Sequence, residues 1–290
     1  MDSTSQQALL PNALQKVIEA DILRALEEDV GAGDITAQLV PAGQLATATI
    51  LSREDAVVCG IPWASAAFRH VSREIAIEWL VQEGDLVKAG STICTLSGPA
   101  RALLTAERCA LNFLQTLSAT ATATRQYVDA ITGTSAHILD TRKTLPGLRI
   151  AQKYAVRIGG GLNQRIGLYD GILIKENHIA AAGSIEAVLT NARALDAGVP
   201  IQIEVETLEQ LQAALKARAK LILLDNFDIP ALAEAVRINR GQAILEASGG
   251  IDIHNVREIA LTGVDRISIG SLTKHVHAID LSMRFQPETA

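Results

Sequence analysis

Apolar positions near the start of the chain recur first at helical and then at strand spacing. Leu14, Val17, Ile18, Ile22 and Leu26 share one face of a helix predicted over 14–26. A tight glycine loop follows, Glu28–Thr36, around Gly31 and Gly33. After it, Ala46–Leu51, Ala56–Cys59, Ile75–Leu80 and Thr92–Leu96 read as strands. Helical spacing returns from Pro99 to about Ala123, and the chain divides near 115–120. Beyond that point the two periods alternate. Ala136–Leu139, Gly171–Ile174, Ile201–Val205, Leu221–Leu224, Ala243–Leu245 and Arg266–Ile269 are β-rich runs. Between them lie helical patterns at Ser184–Leu195, Leu208–Ala217, Pro230–Asn239 and Asn255–Leu261. Ser184 suits an N-cap, with Glu186 in the acidic first turn. Strands alternating with helices pair in parallel, in a barrel or in a doubly wound sheet.

The residues after each strand favour the barrel. The strands end in Asp140, Lys175, Glu206, Asp225, Ser248-Gly249-Gly250 and Gly270-Ser271. Reactive groups at nearly every carboxyl end mark a barrel rim. A doubly wound sheet would gather them at one or two switch points. Glu204 and Glu206 fall on one face of their strand, and Ile201, Ile203 and Val205 fall on the other, towards helices. Carboxylates pointing inward are costly unless paired or metal-bound.

Composition narrows the class. The chain has 290 residues, 48% of them hydrophobic and 3% aromatic, enough for a large aliphatic core. A net charge of −6 and a pI near 5.6 argue against nucleic acid as a partner. No apolar run reaches the roughly 18–20 residues that span a bilayer. Met1–Gln7 is polar and lacks a signal pattern. Cys59, Cys94 and Cys109 have no metal spacing and read as buried, reduced thiols of a cytoplasmic protein.

Against that acidic background, Asp140–His178 carries seven Arg or Lys and only three acids. Gathered at strand ends, such cations suit a small polyanion. Arg142, Arg165 and Lys175, with Arg108, are the candidates, because Arg grips a carboxylate bidentately and Lys adds a point charge. Arg149, Lys153 and Arg157 have helical spacing and read as an exposed face. Ser248-Gly249-Gly250 and Gly270-Ser271 sit on the last two strands, where backbone N–H groups can close around a phosphate. Gly159-Gly160-Gly161 reads as a flexible loop. Glu206 and Asp225, with Glu204 and Glu246 near them, suit Mg²⁺ bound jointly with substrate phosphates, or stabilisation of a developing sugar cation. For Glu204 and Glu246, ion pairs with barrel cations are an equal alternative. Glu83–Gly90 looks like a carrier-domain turn, but Lys88 sits inside the strand-entry segment rather than at a hairpin tip. A structural turn is the expectation there.

These segments together resemble the quinolinate phosphoribosyltransferase family. The resemblance rests on Asp140–Arg149, Ile174–His178, Glu204-Val205-Glu206, Leu223–Phe227 and Glu246–Ile251, with Gly33–Thr36 and Glu107–Asn112 earlier. It implies an α/β protein with the type II phosphoribosyltransferase fold. An N-terminal α/β sandwich would span 1–117, an incomplete parallel (β/α) barrel 118–273, and a tail at 274–290 would pack back on the N-terminal domain. The implied reaction joins quinolinate to phosphoribosyl pyrophosphate (PRPP) with Mg²⁺, giving nicotinate mononucleotide, pyrophosphate and CO₂ in NAD biosynthesis. Arg142, Arg165 and Lys175 would face quinolinate, joined by Gln164 and by Arg108 from a neighbouring subunit. Lys143 and His178 would lie near PRPP, Glu206 and Asp225 at its ribose and metal end. Ser248, Gly249, Gly250, Gly270 and Ser271 would grip the 5′-phosphate. Lys143, Lys175, Glu206 and Asp225 would carry the catalysis. The resemblance also implies a homodimer with shared sites, its assembly into hexamers left open. One residue departs from the pattern: many members have His where Gln164 stands, and Gln can donate a hydrogen bond but cannot titrate. Two rivals share such a barrel, a paralogue linked to molybdate transport and a non-catalytic binder of phosphorylated ligands.

Overall fold

The structure is a computed structural model describing residues 11–286; Met1–Gln7 and residues 287–290 lie outside the described residues. The first elements are α1 (Pro11–Val30), β1 (Leu45–Ser52), β2 (Ala56–Val57), α2 (Ile61–Val71), β3 (Ala76–Trp79), β4 (Leu86–Val87), β5 (Thr92–Pro99) and α3 (Ala100–Ala130). Next come β6 (His137–Leu139), α4 (Arg149–Ile158), β7 (Ile172–Ile174), α5 (Glu176–Ala182), α6 (Ile185–Ala194), β8 (Ile201–Val205), α7 (Leu208–Lys216) and β9 (Leu221–Asp225). The chain closes with α8 (Ile229–Asn239), β10 (Ile244–Ser248), α9 (Val256–Leu261), β11 (Arg266–Ser268), α10 (Ser271–Lys274) and β12 (Leu281–Phe285). Residues up to Ala123, 146–159 and from His275 onward form one compact unit; 124–145 and 160–274 form the other.

In the first unit β12, β1, β5 and β3 make an antiparallel sheet, in that order. Its inward residues, among them Ala48, Ile50, Ile93 and Leu96, join Ile22, Trp63, Phe68, Leu103, Leu111 and Leu114 from the helices in one aliphatic core. Cys59, Cys94 and Cys109 are buried free thiols within it, as expected. Glu83 caps α2, its Oε1 accepting the N–H groups of Gly60 at 2.8 Å and Ile61 at 2.6 Å. Lys88 is pinned by Asp55 at 2.7 Å, in keeping with a structural turn. The face expected from Arg149, Lys153 and Arg157 is a correction. The buried side of α4 runs from Ala151 to Val156 and takes Lys153 with it, at 2% exposure; of the three, Arg157 is exposed and Arg149 half-buried.

The second unit is a six-stranded parallel sheet in the order β6-β11-β10-β9-β8-β7. That is the cyclic order of a barrel, interrupted only between β6 and β7. One isolated bridge, Leu139 to Leu162, stands in the gap. Ile174, Ile203, Val205, Ile222, Leu224, Leu245, Ala247, Ile267 and Ile269 are buried on the outer, helix-facing side of the strands. Ser184, Thr207 and Asp228 cap α6, α7 and α8 by accepting the backbone N–H three residues on. Polar side chains are thereby left for the inner face and the carboxyl ends.

Candidate active site

Strand alternation builds the site. Leu173 and Lys175, Leu223 and Asp225, and Glu246 and Ser248 are i, i+2 pairs on the inner face; with Glu204 and Ser268 they line a cleft of about 290 Å³ at the carboxyl end of the sheet. Thr141, Arg142 and Lys143 after β6, and Gln164 and Arg165 before β7, complete it. A larger cleft, about 580 Å³, lies over one end of the sheet in the first unit. Glu74 is its one charged lining residue, so the smaller cleft is the one that carries chemistry.

The cationic side of the cleft is set against itself. Burial lowers the proton affinity of the Arg165 guanidinium, and the neighbouring Arg142 charge lowers it further, with Asp170 opposing. Asp170 is itself occupied, accepting the N–H groups of Ile166 at 2.8 Å and Gly167 at 2.9 Å. The Arg165 Nη1 donates to the Gly171 carbonyl at 2.9 Å. Two partly buried guanidiniums side by side are stabilised by an anion between them. Lys175 reaches across to Glu204, Nζ to Oε2 at 2.9 Å, so the inward carboxylate is paired as burial requires.

Asp225 faces this group from β9. Burial raises its carboxyl above the usual range; Lys175 opposes the rise, Glu206 adds to it and Lys143 opposes it. Glu206 follows β8 and is exposed, close enough for its charge to be felt at Asp225. His178 lies one turn into α5, where its Nδ1 accepts the Lys175 backbone N–H at 3.0 Å, leaving the ring proton on Nε2.

The glycines fit by exclusion. A side chain on Gly249, at φ +96°, would meet the Asn226 amide and backbone nitrogen, with the nearest backbone atom at 2.9 Å. One on Gly270 would come within 2.9 Å of the Lys143 stem. Ser248, Gly249 and Gly250 therefore form an open backbone turn beside Asp225, and Gly270-Ser271 leads into α10 under Lys143.

Arg108 is exposed on α3 and belongs to the first unit, whereas the cleft is built wholly from the second. Gln164, expected to donate to a substrate carboxylate, points its Nε2 at both oxygens of Glu246, 2.6 and 2.5 Å away, and at Gln202 Oε1, 3.2 Å away. Glu246 is 1% exposed, and burial holds its carboxyl above the usual range against the donors Gln202, Gln164 and Ser268. Gln202 and Ser268 were not singled out in the sequence. The signal available for Gln202 was its place two residues before Glu204 on the inward face.

Residues 34–118 match the family description "Quinolinate phosphoribosyl transferase, N-terminal domain", and residues 120–284 match its C-terminal counterpart. The chain belongs to the quinolinate phosphoribosyltransferase family. It is 44% identical over 269 residues to the carboxylating nicotinate-nucleotide pyrophosphorylase of Mycobacterium leprae, covering 90% of this chain and 95% of that one. A probable carboxylating nicotinate-nucleotide pyrophosphorylase of Bacillus subtilis is 41% identical, over 88% of this chain and 89% of its own. Among solved structures, the nicotinate-nucleotide pyrophosphorylase of Francisella tularensis superposes with a TM-score of 0.92 at 45% identity, over 94% of this chain and 97% of that one. The sandwich and incomplete barrel expected of a quinolinate phosphoribosyltransferase are the fold observed.

Proposed function

We propose that this chain transfers the phosphoribosyl group of PRPP to quinolinate with loss of CO₂, yielding nicotinate mononucleotide and pyrophosphate. The observation that carries this reading is that Arg142 and Arg165 both line the cleft with Lys175 and Asp225, the Arg142 charge being felt at the partly buried Arg165. A dicarboxylate satisfies both, and its ring nitrogen is then turned towards the sugar. The carbon–oxygen bond to pyrophosphate breaks as the pyridine nitrogen bonds to C1 of the ribose. Asp225 and Glu206 are assigned to stabilising the positive charge that develops on the sugar. The nitrogen becomes cationic and its charge stabilises the electron pair left on the adjacent ring carbon when the carboxylate on that carbon leaves as CO₂; that pair then bonds a proton from solvent.

Lys143, His178 and the turns Ser248–Gly250 and Gly270-Ser271 are assigned to the phosphates. Mg²⁺ fits the Asp225 and Glu206 side of the cleft, where the Glu206 charge adds to the cost of ionising Asp225. With no group of three such ligands among the described residues, pyrophosphate oxygens and water would complete its shell. Bound there, the ion would neutralise charge on the departing pyrophosphate.

The test is direct: incubate the protein with Mg²⁺ and PRPP, add quinolinate or nicotinate in parallel, and follow mononucleotide and CO₂. Product from quinolinate alone supports the reading; none from either substrate, with the protein folded, overturns it.

We further propose a homodimer in which Arg108 completes the quinolinate site of its neighbour. Its exposure on α3, outside the unit that holds the cleft, supports this. Mixing Arg108→Ala with Lys175→Ala subunits is expected to restore one good site per hybrid dimer; no recovery over either parent would refute sharing. A cytoplasmic location fits three free thiols and, among the described residues, no helix long and apolar enough to cross a membrane.

A further inference from the structure

The segment that carries Arg165 has almost no secondary structure of its own. Leu162 makes one parallel bridge with Leu139, donating to Ile138 O at 2.8 Å and accepting from Asp140 N at 3.2 Å. Residues 163–165 belong to no helix or strand. Two carboxylates hold them, one just beyond β6 and one on β10. Asp140, 0% exposed just beyond β6, accepts the Gln164 backbone N–H at 2.8 Å on Oδ1 and the Asn163 Nδ2 at 2.6 Å on Oδ2. Glu246, 1% exposed on β10, accepts the Gln164 side chain on both oxygens and Gln202 Nε2 at 3.0 Å. The Gln164 Oε1 in turn accepts the Arg165 N–H at 3.3 Å.

We infer that Asp140 and Glu246 are positioning residues that clamp Asn163 and Gln164 and thereby aim the Arg165 guanidinium into the substrate cleft. A buried carboxylate is tolerated when donors meet its lone pairs, and here one short segment supplies donors to both. The clamp also explains how Gln serves at 164. Its amide hydrogens face Glu246 and Gln202, so it acts through the placement of its neighbour rather than by touching a ligand. The inference rests on the reading of Arg165 as a ligand of a quinolinate carboxylate.

The experiment separates KM for quinolinate from KM for PRPP in Arg165→Ala, Asp140→Asn, Gln164→Leu and the double variant Asp140→Asn/Asn163→Asp. Asn at 140 keeps an acceptor for the Gln164 N–H but sets an amide against the Asn163 amide. Losing one charge-assisted hydrogen bond in the clamp is expected to raise KM for quinolinate about tenfold and leave KM for PRPP within about twofold. The double variant restores a donor–acceptor pair at that contact and is expected to recover most of the loss. Gln164 is only half-buried, so Gln164→Leu carries the test if Asp140→Asn does not fold. Equal effects on both KM values, or no effect in the clamp variants while Arg165→Ala raises KM for quinolinate, would overturn the clamp. An unchanged KM for quinolinate in Arg165→Ala would instead overturn the role given to Arg165.

Discussion

At Asp225, burial and neighbouring charge together set a lower pH limit on catalysis. Its carboxyl is raised above the ordinary 3.8, chiefly by burial and in part by Glu206. The carboxylate is the form that stabilises a developing cation, so activity is lost as pH falls through the raised value. The acidic limb of kcat/KM for PRPP is therefore expected above pH 3.8, the ordinary value. Glu206→Gln removes one of the charges that push Asp225 up and should move that limb to lower pH; a limb that stays put would remove Asp225 from the mechanism. The residue scale is also where the sequence was hardest to read. Asp140, Gln202 and Ser268 support the site through hydrogen bonds whose partners are far apart in the chain, and no local spacing announces such a contact.

Among the elements, the turn after β10 has the least freedom. Gly249 combines a left-handed backbone with Asn226 pressed against the place a side chain would occupy. Gly249→Ala is expected to cost about 1–3 kcal/mol of stability and to raise KM for PRPP more than KM for quinolinate. Thermal unfolding and steady-state kinetics check both parts. The elements themselves were largely legible, because each period was unbroken: Ile201–Val205 and Leu208–Lys216 were read within a residue of their observed ends. The polar residues closing each strand identified the rim for the same local reason. What local pattern could not convey was the grouping of α4 with the first unit or the burial of Lys153, since both depend on what packs against the helix.

On the scale of the whole molecule, three thiols are stored where reagents do not reach. Burial pushes Cys94 up to about 12 and Cys109 up to about 11, and Cys59 is raised as well. Thiolate is the reactive form, so a water-soluble alkylating agent near neutral pH is expected to label none of the three in the folded protein and all three after denaturation. Rapid labelling of the native chain, read by mass, would contradict the packing described here.

The break between β6 and β7 has a consequence for how the fold breathes. A closed barrel has no end from which its ladder can fray, but this sheet has two, and among the described residues the backbone bridge between them is the one at Leu162, beside the Asp140 contacts to Asn163 and Gln164. Deuterium should therefore enter from that seam, reaching the amides of Leu162 and Asp140 before those at the centre, where β9 and β10 are paired along their whole lengths. Arg165 follows directly on this seam. A dicarboxylate that bridges it to Arg142 would act as a staple, and slower exchange at Leu162 when quinolinate is added would report binding without any turnover.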